Sequence, residues 1–310
     1  MKSNLIIIGN GFDVWQGLET SYSKFKDYYY EHRKSIMKRM FIRMHEIKWY
    51  DGHNQQLSDV ELIYGHPFNP DELSCEFWNT FETSLGNVED ENINYFFGKE
   101  KSDLKELSKS VKNARKILTK AFVDWVRTID IPEVEQQYQF NNTCTFLNFN
   151  YTDTLQKRFN VREKDIYFIH GNARKKKSII FGHSSMPEPP LLLMKRFGGR
   201  FEGLYYISNM LYLTDKHISE NIRDYIYYLA GSAINSKDIK NVYVLGHSFG
   251  EVDFEYFRFL IDATRETAQW NISCYNAEDE ECVKSTMKKL KFSNYKIFKT
   301  IDDCISDFRA

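Results

Sequence analysis

Leu5-Ile6-Ile7-Ile8-Gly9-Asn10-Gly11-Phe12-Asp13 is the stretch whose reading decides the fold. Four apolar residues, three of them β-branched, run without a polar break into a Gly-x-Gly turn. A strand buried on both faces of a parallel sheet reads as such a continuous run. The two glycines let the chain turn sharply and approach another group with no Cβ in the way. If a helix follows, its free N–H groups face the same spot, which suits a phosphate. The turn therefore has two readings, a tight corner after a core strand and a nucleotide cradle. A dinucleotide fingerprint wants G-x-G-x-x-G, and its third glycine position here is Val14.

Working outward, Ser21 or Ser23 is placed to cap a helix that begins nearby. From Phe25 to Tyr138 charged and aromatic residues mix at helical spacing. Val111, Ala114, Ile117, Leu118, Ala121, Phe122 and Trp125 make one apolar stripe. Asp51 to Asn69 reads as a loop. Strand-like runs return at Thr143–Phe149, Asp165–Ile169 and Ser178–Phe181, then at Val242–Leu245, Trp270–Tyr275 and Tyr295–Phe298. Between them lie Pro187, Pro189, Pro190, a Gly198-Gly199 turn and more aromatic helical pattern. Strands alternating with helices predict an α/β fold, a mostly parallel sheet with helices on both faces. The expected organisation is a Rossmann-like nucleotide-binding core from residues 1–24, 141–183 and 241–310, a helical insertion over 25–140, and a second, smaller one over 184–240.

Composition narrows the function classes. The chain has 310 residues, 42% of them apolar and only six prolines, which suits a large packed core and not a disordered protein. Its 42 basic and 43 acidic residues balance to a net charge of −1, so no global field draws it to nucleic acid or an anionic membrane. Five cysteines with no C-x-x-C pair fit neither a disulfide framework nor a zinc module. His32, His45, His53 and His66 form no pair at ligand spacing, and no metal is expected. The first apolar run breaks too soon for a signal peptide, and none approaches the roughly 18 residues of a membrane span. A soluble, cytoplasmic protein is the expectation.

The chemistry is expected where the strands end, because open α/β sheets bind ligands beyond their carboxyl ends. The exits read Gly9-Asn10-Gly11, Asn148-Phe149-Asn150-Tyr151-Thr152, His170-Gly171-Asn172, Gly182-His183-Ser184, Gly246-His247-Ser248 and Tyr275-Asn276. Two further motifs carry rival readings. Gly246-His247-Ser248-Phe249-Gly250 has the form of a nucleophile elbow, but no histidine follows His247 to complete a triad. The basic run Arg174-Lys175-Lys176-Lys177 reads as a solvated loop. Trp78 and Glu82 share one helix face, with a buried ring and an exposed acid as the simplest account.

The opening Ile7-Ile8-Gly9-Asn10-Gly11-Phe12-Asp13, with Gly17-Leu18, Thr20-Ser21-Tyr22 and Phe25, resembles the signature of the AbiH family of bacterial abortive-infection proteins. Trp78 and Glu82, Phe149 to Leu155, Ile169-His170-Gly171 and Gly246-His247-Ser248 resemble its later blocks in order, from residue 5 to about 255. The pattern is in turn distantly similar to Sir2-like NAD-consuming enzymes, which implies a Sir2/DHS-like version of the Rossmann-like core. It departs from them where Thr152 stands in place of their Asp, and it lacks the four-cysteine zinc module of the deacylases.

What the resemblance implies is a phage-defence effector that hydrolyses NAD, its substrate, to nicotinamide and ADP-ribose with no required cofactor. Asn150, His170 and Asp13 would be catalytic. Gly9, Asn10, Gly11, Phe12, Ser21, Tyr22, Thr152, Gly246, His247, Ser248 and Asn276 would hold the nucleotide. A phage-derived trigger, a partner defence protein and homo-oligomerisation are the expected partners, with no membrane. A catalytically inactive nucleotide sensor or scaffold and a nucleic-acid-binding effector or nuclease remain the alternatives.

Overall fold

The computed structural model describes residues 1–48, 54–64, 101–175, 179–180, 182 and 215–309. In chain order these form β1 (Asn4–Ile8), α1 (Asn10–Trp15), α2 (Tyr22–Arg39), β2 (His45–Lys48), β3 (Asn54–Leu57), α3 (Asp59–Tyr64) and α4 (Lys101–Thr128). There follow β4 (Cys144–Asn148), α5 (Thr154–Phe159), β5 (Ile166–Phe168), α6 (Ile218–Gly231), β6 (Asn241–Leu245) and α7 (Phe254–Thr264). The chain closes with β7 (Gln269–Ser273), α8 (Ala277–Lys289), β8 (Tyr295–Phe298) and the short α9 (Ile301–Cys304). It divides into two compact units. One comprises Met1–Thr20, Val126–Ile180 and His217–Ala310, and the other Ser21–Trp125 with Phe181–Lys216.

The first unit is a six-stranded, all-parallel sheet in the order β5-β4-β1-β6-β7-β8. Counted along the chain within this sheet, that is 3-2-1-4-5-6, the Rossmann order. β1 lies between β4 and β6, where the order reverses. Its side chains alternate faces. Leu5 and Ile7 pack with Leu147, Val242, Val244, Trp270 and Ile272 beneath α6, α7 and α8. Ile6 and Ile8 pack with Phe12, Phe146, Phe159, Tyr243 and Leu245 on the opposite side. Both faces are covered, which is why the run carries no polar alternation.

Two expected elements differ. Ile179 and Ile180 lie outside the sheet, with Ile180 N–H donating to His170 O at 3.0 Å; Ser178 and Phe181 fall outside the described residues. The expected second insertion over 184–240 ends at Lys216, because α6 buries Tyr225 in the first unit with Ile234 and Ile239. Likewise Tyr138 belongs to that unit's core.

In the second unit, the stripe from Val111 to Trp125 on α4 is buried as its spacing predicts. Phe25 of α2 packs on Phe122 and Trp125, ring centroids 5.4 Å apart in each case. The expected loop over Asp51–Asn69 instead contains β3, antiparallel to β2, and α3. A capping box starts that helix. Glu61 N–H donates to Ser58 Oγ at 3.3 Å, and Ser58 N–H donates to Glu61 Oε2 at 2.7 Å.

Register puts the core strand ends level. Ile8 pairs with both Asn148 and Leu245, and Asn148 pairs with Phe168. The turns after β1 and β6 therefore meet at the switch point, where they pack backbone on backbone. A Cβ on Gly246, whose φ is +62°, would stand 2.2 Å from Phe12 N and 2.4 Å from Gly11 C. One on Gly9 would stand 2.6 Å from Gly246 O. Gly246→Ala is expected to cost about 4 kcal/mol or more, or to abolish soluble expression. Gly231→Ala, where an added Cβ meets nothing within 4 Å, is expected to stabilise by about 0.5–1 kcal/mol. Denaturant unfolding of both variants checks the contrast; equal effects would refute it.

Candidate functional site

The site is built outward from those two turns. Gly11 N–H donates to Gly246 O at 2.8 Å, Gly9 N–H to Leu245 O at 3.0 Å and Phe12 N–H to Gly9 O at 3.0 Å. These glycines serve a close backbone approach, and their N–H groups are taken up by the protein. Phe12 turns its ring into the core against Trp15 and Phe159.

Beyond β4, the segment Phe149–Thr152 ties the neighbouring exits together. Asn150 Nδ2 donates to Gly9 O at 2.9 Å, while its own N–H donates to Asn148 Oδ1 at 2.8 Å. Thr152 Oγ1 donates to Asp13 Oδ2 at 2.6 Å. With that proton committed, Thr154 is the donor across the 3.0 Å contact between the two threonine hydroxyls. Asp13 is 1% exposed, and its Oδ1 accepts no hydrogen bond. Burial pushes its carboxyl from the ordinary 3.8 up to about 6, held back by Thr152, Thr154 and Asn150. A buried acceptor left open costs stability and marks a place for a donor.

On the other side of Asn150 lie two buried histidines. The Phe149 ring stands edge-on to His170 at 5.3 Å and to His247 at 4.7 Å, and Tyr151 stacks on His170 at 6.1 Å. Asp253, in the turn before α7, sits between them. Its Oδ2 is 3.4 Å from His247 Nε2, and its Oδ1 is 4.0 Å from His170 Nε2. Phe249 N–H donates to His247 Nδ1 at 3.0 Å, with Phe249 in the left-handed region at φ +54°. A ring nitrogen that accepts carries no proton, so neutral His247 has its hydrogen on Nε2, toward Asp253. Tyr256 and Phe257 close the shell. Asp253 and Tyr256 carry no recognised motif; the one signal was an acid six residues after His247.

The remaining expected site residues divide. Asn10 is half-buried in the first turn of α1, and Ser248, directly after His247, is exposed. Asn276 caps α8, its Oδ1 accepting Asp279 N–H at 2.8 Å. Ser21 holds the N-cap position of α2 without a capping bond; its Oγ pairs with Ser23 Oγ at 2.9 Å. Tyr22 is buried beside Phe25. Both belong to the second unit. Arg174 Nε pairs with Asp153 at 3.0 Å and Lys175 with Glu163, so the described part of the basic run is occupied by its own neighbours. Lys176, Lys177, Trp78, Glu82, His183 and Ser184 lie outside the described residues. Among the described residues no metal-holding group of three or more His, Cys, Asp or Glu occurs, and no helix is long and apolar enough to cross a membrane.

A family model described as "Bacteriophage abortive infection AbiH" matches residues 5–274. No curated protein and no solved structure matches the chain.

Asp13 has a consequence for stability. Its folded pKa, about 6, exceeds the unfolded 3.8, so the native state holds the extra proton between those values. Its contribution is full below pH 3.8 and is lost as pH rises through 6, a difference of about 3 kcal/mol. Asp13→Asn is expected to flatten that slope, read as melting temperature across this pH range. An unchanged slope would contradict the burial of the charge.

Proposed function

The chain belongs to the AbiH family of bacteriophage abortive infection, and on that premise we propose that it hydrolyses the N-glycosidic bond of NAD, releasing nicotinamide and ADP-ribose. One observation carries the reading. The single segment Phe149–Thr152 joins Gly9 and Asp13 on one side to His170 on the other, at the switch point of a Rossmann-ordered sheet.

In NAD the nicotinamide is a cationic leaving group. The bond from ribose C1′ to the ring nitrogen breaks, its electron pair stays with nicotinamide, and the base departs neutral without a general acid. Water forms the new bond to C1′, and its proton passes to His170. Asn150, fixed through Gly9 O, has its amide oxygen and second hydrogen to hold that water or a ribose hydroxyl. Asp13 Oδ1, open and anionic above about pH 6, accepts a ribose hydroxyl and offsets the positive charge that develops on the sugar. Because Gly11 N–H is spent on Gly246 O, the nucleotide contacts are assigned to side chains such as Asn10 and Ser248. In this reading Gly9 and Gly11 shape the edge and do not themselves grip the phosphates.

The test is to incubate the purified protein with NAD, with and without phage components, and to measure nicotinamide and ADP-ribose. Turnover is expected, and Asn150→Ala and His170→Ala should each lower kcat by about 100-fold or more with the melting temperature retained. Thr152→Val removes a bond that favours ionised Asp13, so the acid limb of the rate profile should move to higher pH. No NAD hydrolysis under any of these conditions would sink the proposal.

A further inference from the structure

We propose that Asp13 sets the substrate specificity of the site, its Oδ1 taking the 2′-hydroxyl of a ribose and so selecting ribosyl over 2′-deoxyribosyl substrates. Thr152 and Thr154 are positioning residues that hold Oδ2 and leave Oδ1 for the ligand. That the ribose belongs to NAD rests on the hydrolysis reading; the selection for a hydroxyl does not.

One oxygen of the carboxylate is already spent. Thr152 Oγ1 donates to Asp13 Oδ2 at 2.6 Å, and Thr154 Oγ1 lies 3.0 Å from Thr152 Oγ1. Thr152 has a single hydroxyl proton, so it serves Asp13 and accepts the proton of Thr154. Both threonines are buried. This relay of two hydroxyls pins the carboxylate through Oδ2. Oδ1 accepts no hydrogen bond, although Asp13 is 1% exposed. An ionised carboxylate only accepts, and Asp13 is ionised above about pH 6. A buried acceptor in that state calls for a donor.

Asn150 narrows what the donor is. One of its Nδ2 hydrogens goes to Gly9 O at 2.9 Å, the same oxygen that accepts the N–H of Phe12, the residue before Asp13. Asn150 therefore stands beside Asp13, and its amide is among the groups that favour the charge there. A ligand group placed between the two side chains must give a hydrogen to Asp13 and accept one from Asn150. A hydroxyl does both through one atom. An ammonium group or a metal ion cannot accept, and a carbonyl cannot donate.

The reaction decides which hydroxyl. As the bond from C1′ to nitrogen breaks, positive charge spreads over C1′ and the ring oxygen. The 2′-hydroxyl is on the carbon next to C1′. A carboxylate drawing on its proton pushes electron density toward the developing charge, and hydrogen bonds to this hydroxyl strengthen in such transition states. Part of the contact is therefore realised only in the transition state, and its loss falls on kcat.

The full-length protein is assayed at about pH 8, where Asp13 is ionised. The substrates are NAD and its 2′-deoxy and 3′-deoxy analogues, each altered on the nicotinamide ribose. In water the 2′-deoxy bond breaks more readily than that of NAD, because an electron-withdrawing group is gone. The protein is expected to reverse this order, with kcat for the 2′-deoxy compound about 100-fold or more below that for NAD. The 3′-deoxy compound should be affected less. This comparison needs no variant. Asp13→Asn should shrink the preference for NAD to about 10-fold or less, and Thr152→Val should shrink it in the same direction. Thr152→Ser, which keeps the hydroxyl, should restore it, whereas mere loosening of the fold would not respond to the 2′-hydroxyl. Equal kcat for NAD and the 2′-deoxy compound, a preference keyed to the 3′-hydroxyl, or an undiminished preference in Asp13→Asn would overturn the proposal. If no compound is hydrolysed, calorimetric titration of the same three decides. NAD binding about 10-fold tighter than the 2′-deoxy compound, with the difference lost in Asp13→Asn, would retire hydrolysis and keep the hydroxyl selection. Equal binding, or none, would overturn both.

Discussion

The contact on which the molecule turns is Gly11 N–H to Gly246 O, 2.8 Å between two backbone turns with no side chain between them. Three glycines are required for it, because a Cβ on any of Gly9, Gly11 or Gly246 would enter the other turn at under 3 Å. The contact locks the carboxyl ends of β1 and β6 at the place where the strand order reverses. Everything polar on this edge is positioned from there. Asn150 is held by Gly9 O, Asp13 lies two residues past Gly11 within α1, and His247 follows directly on Gly246.

That closeness has an electrostatic consequence. Asp13, His247 and Asp253 are buried beside these turns. The Asp13 carboxyl is driven up to about 6, and Asp253 is buried facing His170 and His247. An open Asp13 oxygen and a left-handed Phe249 both lie at this edge of the sheet.

Some of this edge was legible in the residues. The unbroken run Leu5–Ile8 required two covered faces, and the Gly, Asn and His punctuation at successive strand exits pointed to one end of the sheet. Other parts were not legible. Ser58-Asp59-Val60-Glu61 is a capping box that polar composition disguised as loop. Ile179 and Ile180 have strand composition, but Ile180 N–H goes to His170 O and not to a sheet neighbour. Asn276 has the look of a ligand contact and serves as a helix cap, since both uses ask for the same short acceptor side chain.

By itself, then, the sequence determined the class of sheet, the strands that build it and the family, because burial pattern and turn chemistry are local and periodic. Only the tertiary structure decided the partners. That Thr152 finds its carboxylate on Asp13, 139 residues away in the chain, depends on strand register. That Asp253 lies between His170 and His247 depends on which exits the sheet order makes adjacent. The glycines themselves carried both readings in the sequence. The fold decided that their bare faces meet each other, because a missing Cβ reveals room for a close approach and not what approaches.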